Sequence, residues 1–125
     1  MKVLIVEDDA DVADSYLLLL QSLGHDAFVC VSGENAIGQI RQLRPDVLVL
    51  DMALPKVCGL DIAHELQRSP EIRPKLIIAV TGFISSDLQA MALDAGCDLF
   101  MVKPVDPAVF QRELETFENR RRTPK

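Results

Sequence analysis

The feature that most restricts the fold is an alternation. Five short runs dominated by apolar residues, "KVLIV" (2–6), "HDAFVC" (25–30), "DVLVL" (46–50), "KLIIAV" (75–80) and "DLFMV" (98–102), are separated by longer stretches with helical periodicity. Runs of this length suit strands, and their near-continuous apolar character means burial on both faces. Strands covered on both faces and separated by helices form a parallel, doubly wound sheet. The expected helices are "ADVADSYLLLLQSLG" (10–24), closed by Gly24; "GENAIGQIRQL", capped by Ser32 and stopped by Pro45; and "LDIAHELQRS" (60–69), with its stripe at 60, 62, 63 and 66. Ser85 or Ser86 opens "DLQAMALDA", closed by Gly96, and Asp106 with Pro107 opens the last helix.

A length of 125 residues suits one domain that buries a core without disulfides. The N-terminus reaches charge too early for a signal peptide and no apolar run could span a bilayer, so a cytoplasmic protein is expected. A net charge of −6 disfavours non-specific binding to nucleic acid or an anionic membrane. The local exception, "NRRRTPK" (119–125), reads as a helix end or the start of a linker. Cys30, Cys58 and Cys97 are widely spaced and odd in number, so neither a disulfide framework nor a zinc site is expected, and Cys30 reads as a core residue. His25 and His64 read as surface residues outside any cleft.

Chemistry in a doubly wound sheet sits at the carboxyl ends of the strands. Glu7, Asp8 and Asp9 follow the first strand, Asp51 the third, Thr81 the fourth and Lys103 the fifth. Crowded carboxylates are tolerable around a hard divalent cation, and Mg²⁺ takes one or two carboxylates while keeping places for phosphate oxygens. An Asp beside such an ion can attack phosphorus, with an ammonium and a hydroxyl neutralising the phosphoryl oxygens. The turn after the first strand is "EDDA", with no Gly-rich phosphate loop, which argues against a dinucleotide enzyme. The same acids would repel the phosphate of a flavodoxin-like electron carrier. Asp9 remains open between a metal role and the capping of the helix it precedes.

"VLIVEDD", "PDVLVLDMALPKVCGLDIAHEL", "LIIAVTG" and "DLFMVKPVD" occur in an order and spacing that resembles the receiver domain of two-component response regulators, over residues 2 to about 118. The resemblance implies a flavodoxin-like (βα)5 three-layer fold, strand order 2-1-3-4-5, with a receiver over 1–118 and the basic tail beyond. It implies a phosphorylation-activated switch rather than a metabolic enzyme. Asp51 matches the phosphoacceptor, served by the phosphohistidine of a sensor kinase or histidine phosphotransfer protein. Asp8, Glu7, Asp51 and the backbone carbonyl of Ala53 match the Mg²⁺ ligands, with Mn²⁺ as a substitute, and Asp9 is an uncertain addition. Lys103 matches the lysine that pairs with the acceptor, Thr81 the switch hydroxyl, and Phe100 the aromatic that follows it inward. The expected output face, for a partner protein, an output domain or a second receiver, is the fourth helix, fifth strand and fifth helix. Such a chain is either a single-domain regulator or part of a larger regulator or hybrid kinase. Ala53 and Phe83 flank the acceptor with apolar groups that cannot position a hydrolytic water, which implies slow loss of phosphate. The alternatives are a non-phosphorylated pseudo-receiver acting as an interaction module, against which the intact acid, hydroxyl and lysine set argues, and a phosphoaspartyl enzyme, for which no cap domain is seen.

Overall fold

The computed structural model describes residues 1–54, 56–82 and 85–122. The strands are β1 (Lys2–Val6), β2 (Asp26–Cys30), β3 (Val47–Asp51), β4 (Leu76–Thr81) and β5 (Leu99–Val102). The helices are α1 (Ala10–Ser22), α2 (Ala36–Leu43), α3 (Gly59–Gln67), α4 (Ser86–Asp94) and α5 (Pro107–Arg122). All strand pairings are parallel, in the order β2-β1-β3-β4-β5, as expected.

Side chains alternate across a strand, so each buried strand feeds two cores. Leu4, Val6, Leu48, Leu50, Ile77 and Ala79 pack with Ile40 of α2, Ile62 and Leu66 of α3 and Ala92 of α4. Val3, Ile5, Val47, Val49, Ile78 and Val80 face the other way, onto Tyr16 and Leu20 of α1 and Phe110 and Leu114 of α5. The result is three layers with the sheet in the middle. β2 is an edge strand with exposed and half-buried positions alternating, which explains its weaker sequence signal.

Local differences from the sequence expectations have local causes. The Ser32 side chain makes no cap hydrogen bond; a 3₁₀ turn at Gly33–Asn35 intervenes, and α2 begins only at Ala36. α2 ends on Arg44 in the left-handed region (φ 52°), a place usually taken by glycine. Its guanidinium offsets that strain by donating to the carbonyls of Glu71 (2.6 Å) and Arg41 (3.2 Å). His25 is half-buried rather than on the surface, with Nδ1 3.1 Å from the Met1 amine. Burial, together with that positive amine, holds its imidazole below the usual histidine range. Other signals fell where expected: Ser85 caps α4 through Leu88 N–H, Asp106 accepts from Ala108 N–H ahead of α5, and Gly24 and Gly96 take positive φ. No helix among the described residues is long and apolar enough to cross a membrane.

Candidate functional site

β3 and β4 each run one residue further than expected, so Asp51 and Thr81 are the last residues of their strands rather than the first beyond them. This matters for rigidity. Asp51 pairs in register with Val80, and the Met52 N–H continues the ladder to the Val80 carbonyl at 2.9 Å. Lys103 is held in the same way, its N–H reaching the Thr81 carbonyl at 2.7 Å. Glu7 N–H reaches the Cys30 carbonyl at 3.0 Å. Each of these backbones is therefore placed by sheet hydrogen bonds rather than by a loop.

Glu7, Asp51 and Thr81 are the buried polar residues of the described chain, at 2, 4 and 0% exposure. Lys103 Nζ lies 2.6 Å from Glu7 Oε1 and 3.5 Å from Asp51 Oδ2. The closer partner is thus Glu7, whereas the resemblance pointed to the acceptor Asp51. The remaining polar valence of Asp51 is met locally, since Oδ1 accepts from the Ala53 N–H at 2.9 Å. One carboxylate oxygen from each of Glu7, Asp8 and Asp51 falls within 4.8 Å of the others, a spacing that could hold a metal ion. Asp8 is exposed, so the cluster opens to solvent on its side.

The electrostatics follow from this crowding. Burial pushes the Glu7 carboxyl above its ordinary value, with the Asp51 charge adding to the rise, even though the Lys103 ammonium and the Asp9 N–H pull the other way. Burial alone would lower Lys103, but the Glu7 hydrogen bond and the charges of Asp51 and Glu7 outweigh it and raise the ammonium pKa. Three carboxylates against one ammonium leave an excess of negative charge in a confined space. A divalent cation is the chemical species that such a donor set fits.

Asp9 is the N-cap of α1, its Oδ1 accepting from the N–H groups of Asp11 and Val12. Phe100 is half-buried and packs against the α2, α3 and α4 side of the core. Phe83 lies outside the described residues. Cys30 and Cys97 are buried and Cys58 is exposed.

Gly59 is a site residue that sequence reasoning passed over. It opens α3 directly behind Asp51, where a Cβ would collide with the Asp51 carbonyl oxygen and stand 2.8 Å from Met52 Cα. The available signal was a glycine at the start of a helical pattern, where the need for close backbone approach competes with capping.

A family model for the response regulator receiver domain matches residues 3–115. The chain belongs to that family. Receiver domains are the signalling switches of two-component systems. This one is 30% identical over 106 residues to the DNA-binding response regulator MtrA of Mycolicibacterium paratuberculosis, covering 85% of this chain and 46% of MtrA. It is 28% identical over 115 residues to the polar-differentiation response regulator DivK of Brucella anthropi, covering 92% of this chain and 94% of DivK. The receiver domain therefore spans less than half the length of MtrA and nearly all of DivK. Among solved structures it superposes on the signal receiver domain of a DNA-binding response regulator from Colwellia psychrerythraea with a TM-score of 0.89 at 23% identity, covering 94% of this chain and 97% of that one. The BeF3-activated N-terminal receiver domain of Klebsiella pneumoniae RstA gives 0.86 at 26% identity, covering 93% and 97%.

Proposed function

We propose that this receiver domain, residues 1–118, is switched by phosphorylation of Asp51 from the phosphohistidine of a sensor kinase or phosphotransfer protein. The observation that carries the reading is the convergence of Glu7, Asp8 and Asp51 oxygens within 4.8 Å, with the Lys103 ammonium 3.5 Å from Asp51. A carboxylate oxygen of Asp51 attacks phosphorus, the P–N bond to the imidazole breaks, and the departing ring nitrogen takes up a proton. Asp8, Glu7, Asp51 and the Ala53 carbonyl are the residues that would hold Mg²⁺, or Mn²⁺ in its place. Bound there, the ion supplies charge neutralisation for the phosphoryl oxygens. Lys103 then turns from Glu7 toward the new phosphate, and Thr81, one strand away, offers its hydroxyl to the same group.

The change is read out on α4, β5 and α5. Phe100 is the candidate connector, since it already packs beside the core that α4 covers. Met91 and Leu93 leave α4 with exposed apolar surface at 52 and 46%, suited to an output partner or a second receiver. Phosphorylation would bias an existing equilibrium between two arrangements of that face. Ala53, a methyl-bearing neighbour that cannot orient water, supports a phosphoryl lifetime of minutes to hours; a lifetime of seconds would reject that part. The deciding experiment is labelling by acetyl phosphate with Mg²⁺. Asp51→Asn should abolish it, whereas labelling that survives the change removes Asp51 from the acceptor role. No labelling of the wild type, with no Mg²⁺ binding, would favour a pure interaction module.

A further inference from the structure

On the sheet face covered by α1 and α5, a cavity of about 390 Å³ opens between the two helices, beside the acid cluster. Val12 and Leu19 of α1 and Val105 ahead of α5 supply its apolar walls, and Ser15, Tyr16 and Lys103 its polar groups. Positions 12, 15, 16 and 19 share one helical face, so α1 presents them as a single stripe. The size and the ratio of apolar wall to polar group are those of small-molecule sites.

Tyr16 is the unusual member. The residue is only 8% exposed, and its ring rests on Phe110 with centroids 6.1 Å apart. Among the described residues no hydrogen bond takes up its hydroxyl, yet no fully buried side-chain oxygen lacks a partner. The hydroxyl is therefore not sealed from solvent, and Tyr16 is a wall of the cavity. Burial pushes this phenol up to about 12, so it stays protonated and can act as a donor. Lys103 brings donors too, but its charge is already matched by Glu7 at 2.6 Å and Asp51 at 3.5 Å. The surroundings are acidic. Asp9 and Asp11 stand exposed at the start of α1, Asp106 precedes α5, and α1 has no basic residue from Ala10 to Ser22. The acids around the mouth disfavour an anionic ligand, and the donors inside suit a neutral acceptor.

We propose that this cavity binds an uncharged small molecule with an apolar body and one carbonyl-type acceptor. The acceptor takes the hydrogen bond of the Tyr16 hydroxyl, and the body packs on Val12, Leu19 and Val105. Such a ligand touches Lys103, which gives the site a wall in common with the acid cluster.

The test is a titration of the isotope-labelled chain with acetophenone, using benzoate and benzylammonium as comparators of similar shape. Amide shifts should saturate and cluster on Val12, Ser15, Tyr16, Leu19 and Val105, with both charged comparators binding more weakly. Tyr16→Phe keeps the ring on Phe110 and should weaken acetophenone by about three- to tenfold, the loss of one hydrogen bond. Shifts that never saturate or scatter over the surface, benzoate binding as well as acetophenone, or unchanged affinity in Tyr16→Phe would each overturn the proposal. Acetophenone binding is read from amide shifts and phosphorylation from acetyl phosphate labelling, so failure of the phosphorylation reading and failure of this one are separable.

Discussion

The close approach at Gly59 can be tested with a matched pair of substitutions. In Gly59→Ala the new Cβ would stand 2.8 Å from Met52 Cα and 2.9 Å from Met52 Cε, besides colliding with the Asp51 carbonyl oxygen. The methionine tip can rotate away, but the two backbone contacts cannot. Reaching ordinary contact at 3.4 Å needs the end of β3 and the start of α3 to separate by about 0.6 Å or more. Overpacking of this kind costs about 1–3 kcal/mol. Gly38, in the middle of α2, has nothing within 4 Å of its Cβ position. There the same change removes only the backbone entropy penalty of glycine in a helix and should stabilise by about 0.5–1 kcal/mol. The two variants should thus move in opposite directions, by about 1.5–4 kcal/mol in total. At about 3–5 °C per kcal/mol for a domain of this size, Gly59→Ala should lose roughly 3–15 °C in Tm and Gly38→Ala gain roughly 2–5 °C. Urea unfolding followed by circular dichroism checks this through the midpoint, at constant m. Equal shifts in the two variants, or an unchanged Gly59→Ala, would refute the argument that α3 is seated against the backbone of Asp51 and Met52.

Three further outcomes follow from the site and its supports. Lys103→Met leaves Glu7 and Asp51 buried without their ammonium, which should cost about 3–5 kcal/mol at neutral pH. Glu7 already titrates above its ordinary value of 4.5, so the folded state holds that proton more tightly than the unfolded state. The stability associated with it is present below 4.5 and lost as pH rises through the folded value. The variant's deficit should therefore shrink as pH falls toward that range in urea titrations, and a deficit independent of pH would be inconsistent with it. Mg²⁺ should raise the Tm of the wild type by preferential binding to the folded state, and Asp8→Asn should lose most of that rise in a thermal shift assay. At the opposite end of the sheet Asp98 Oδ2 accepts from the Ile77 N–H at 2.8 Å and pairs with Arg73 at 3.0 Å. Asp98→Ala strands that N–H and should destabilise by about 1–3 kcal/mol with no change in labelling of Asp51 by acetyl phosphate.

The strands were legible because periodicity in the chain reports burial directly. β1 came out at its expected residues, and β3 and β4 shifted by one toward the site. β2 was faint because an edge strand needs fewer apolar residues, and the start of α2 was misplaced because a serine before a helical pattern can cap it without doing so here. The order of acids, hydroxyl and lysine along the chain was also visible, since each sits at the end of an apolar run.

What the sequence determined by itself is local: which segments must be strands or helices, that the sheet is parallel and covered twice, and which polar residues stand at strand ends. Asp9 illustrates the limit, because cap and metal ligand have the same local signature, and only the position of its oxygen against the Asp11 and Val12 N–H groups placed it as the cap. The Lys103 partnership was equally out of reach. Glu7 lies 96 residues away along the chain, and its distance of 2.6 Å against 3.5 Å for Asp51 depends on how far each side chain reaches across neighbouring strands. The need for glycine at position 59 and the unpartnered phenol of Tyr16 are of the same kind. Each is set by atoms of other elements arriving in the same space, which a pattern along one chain does not encode.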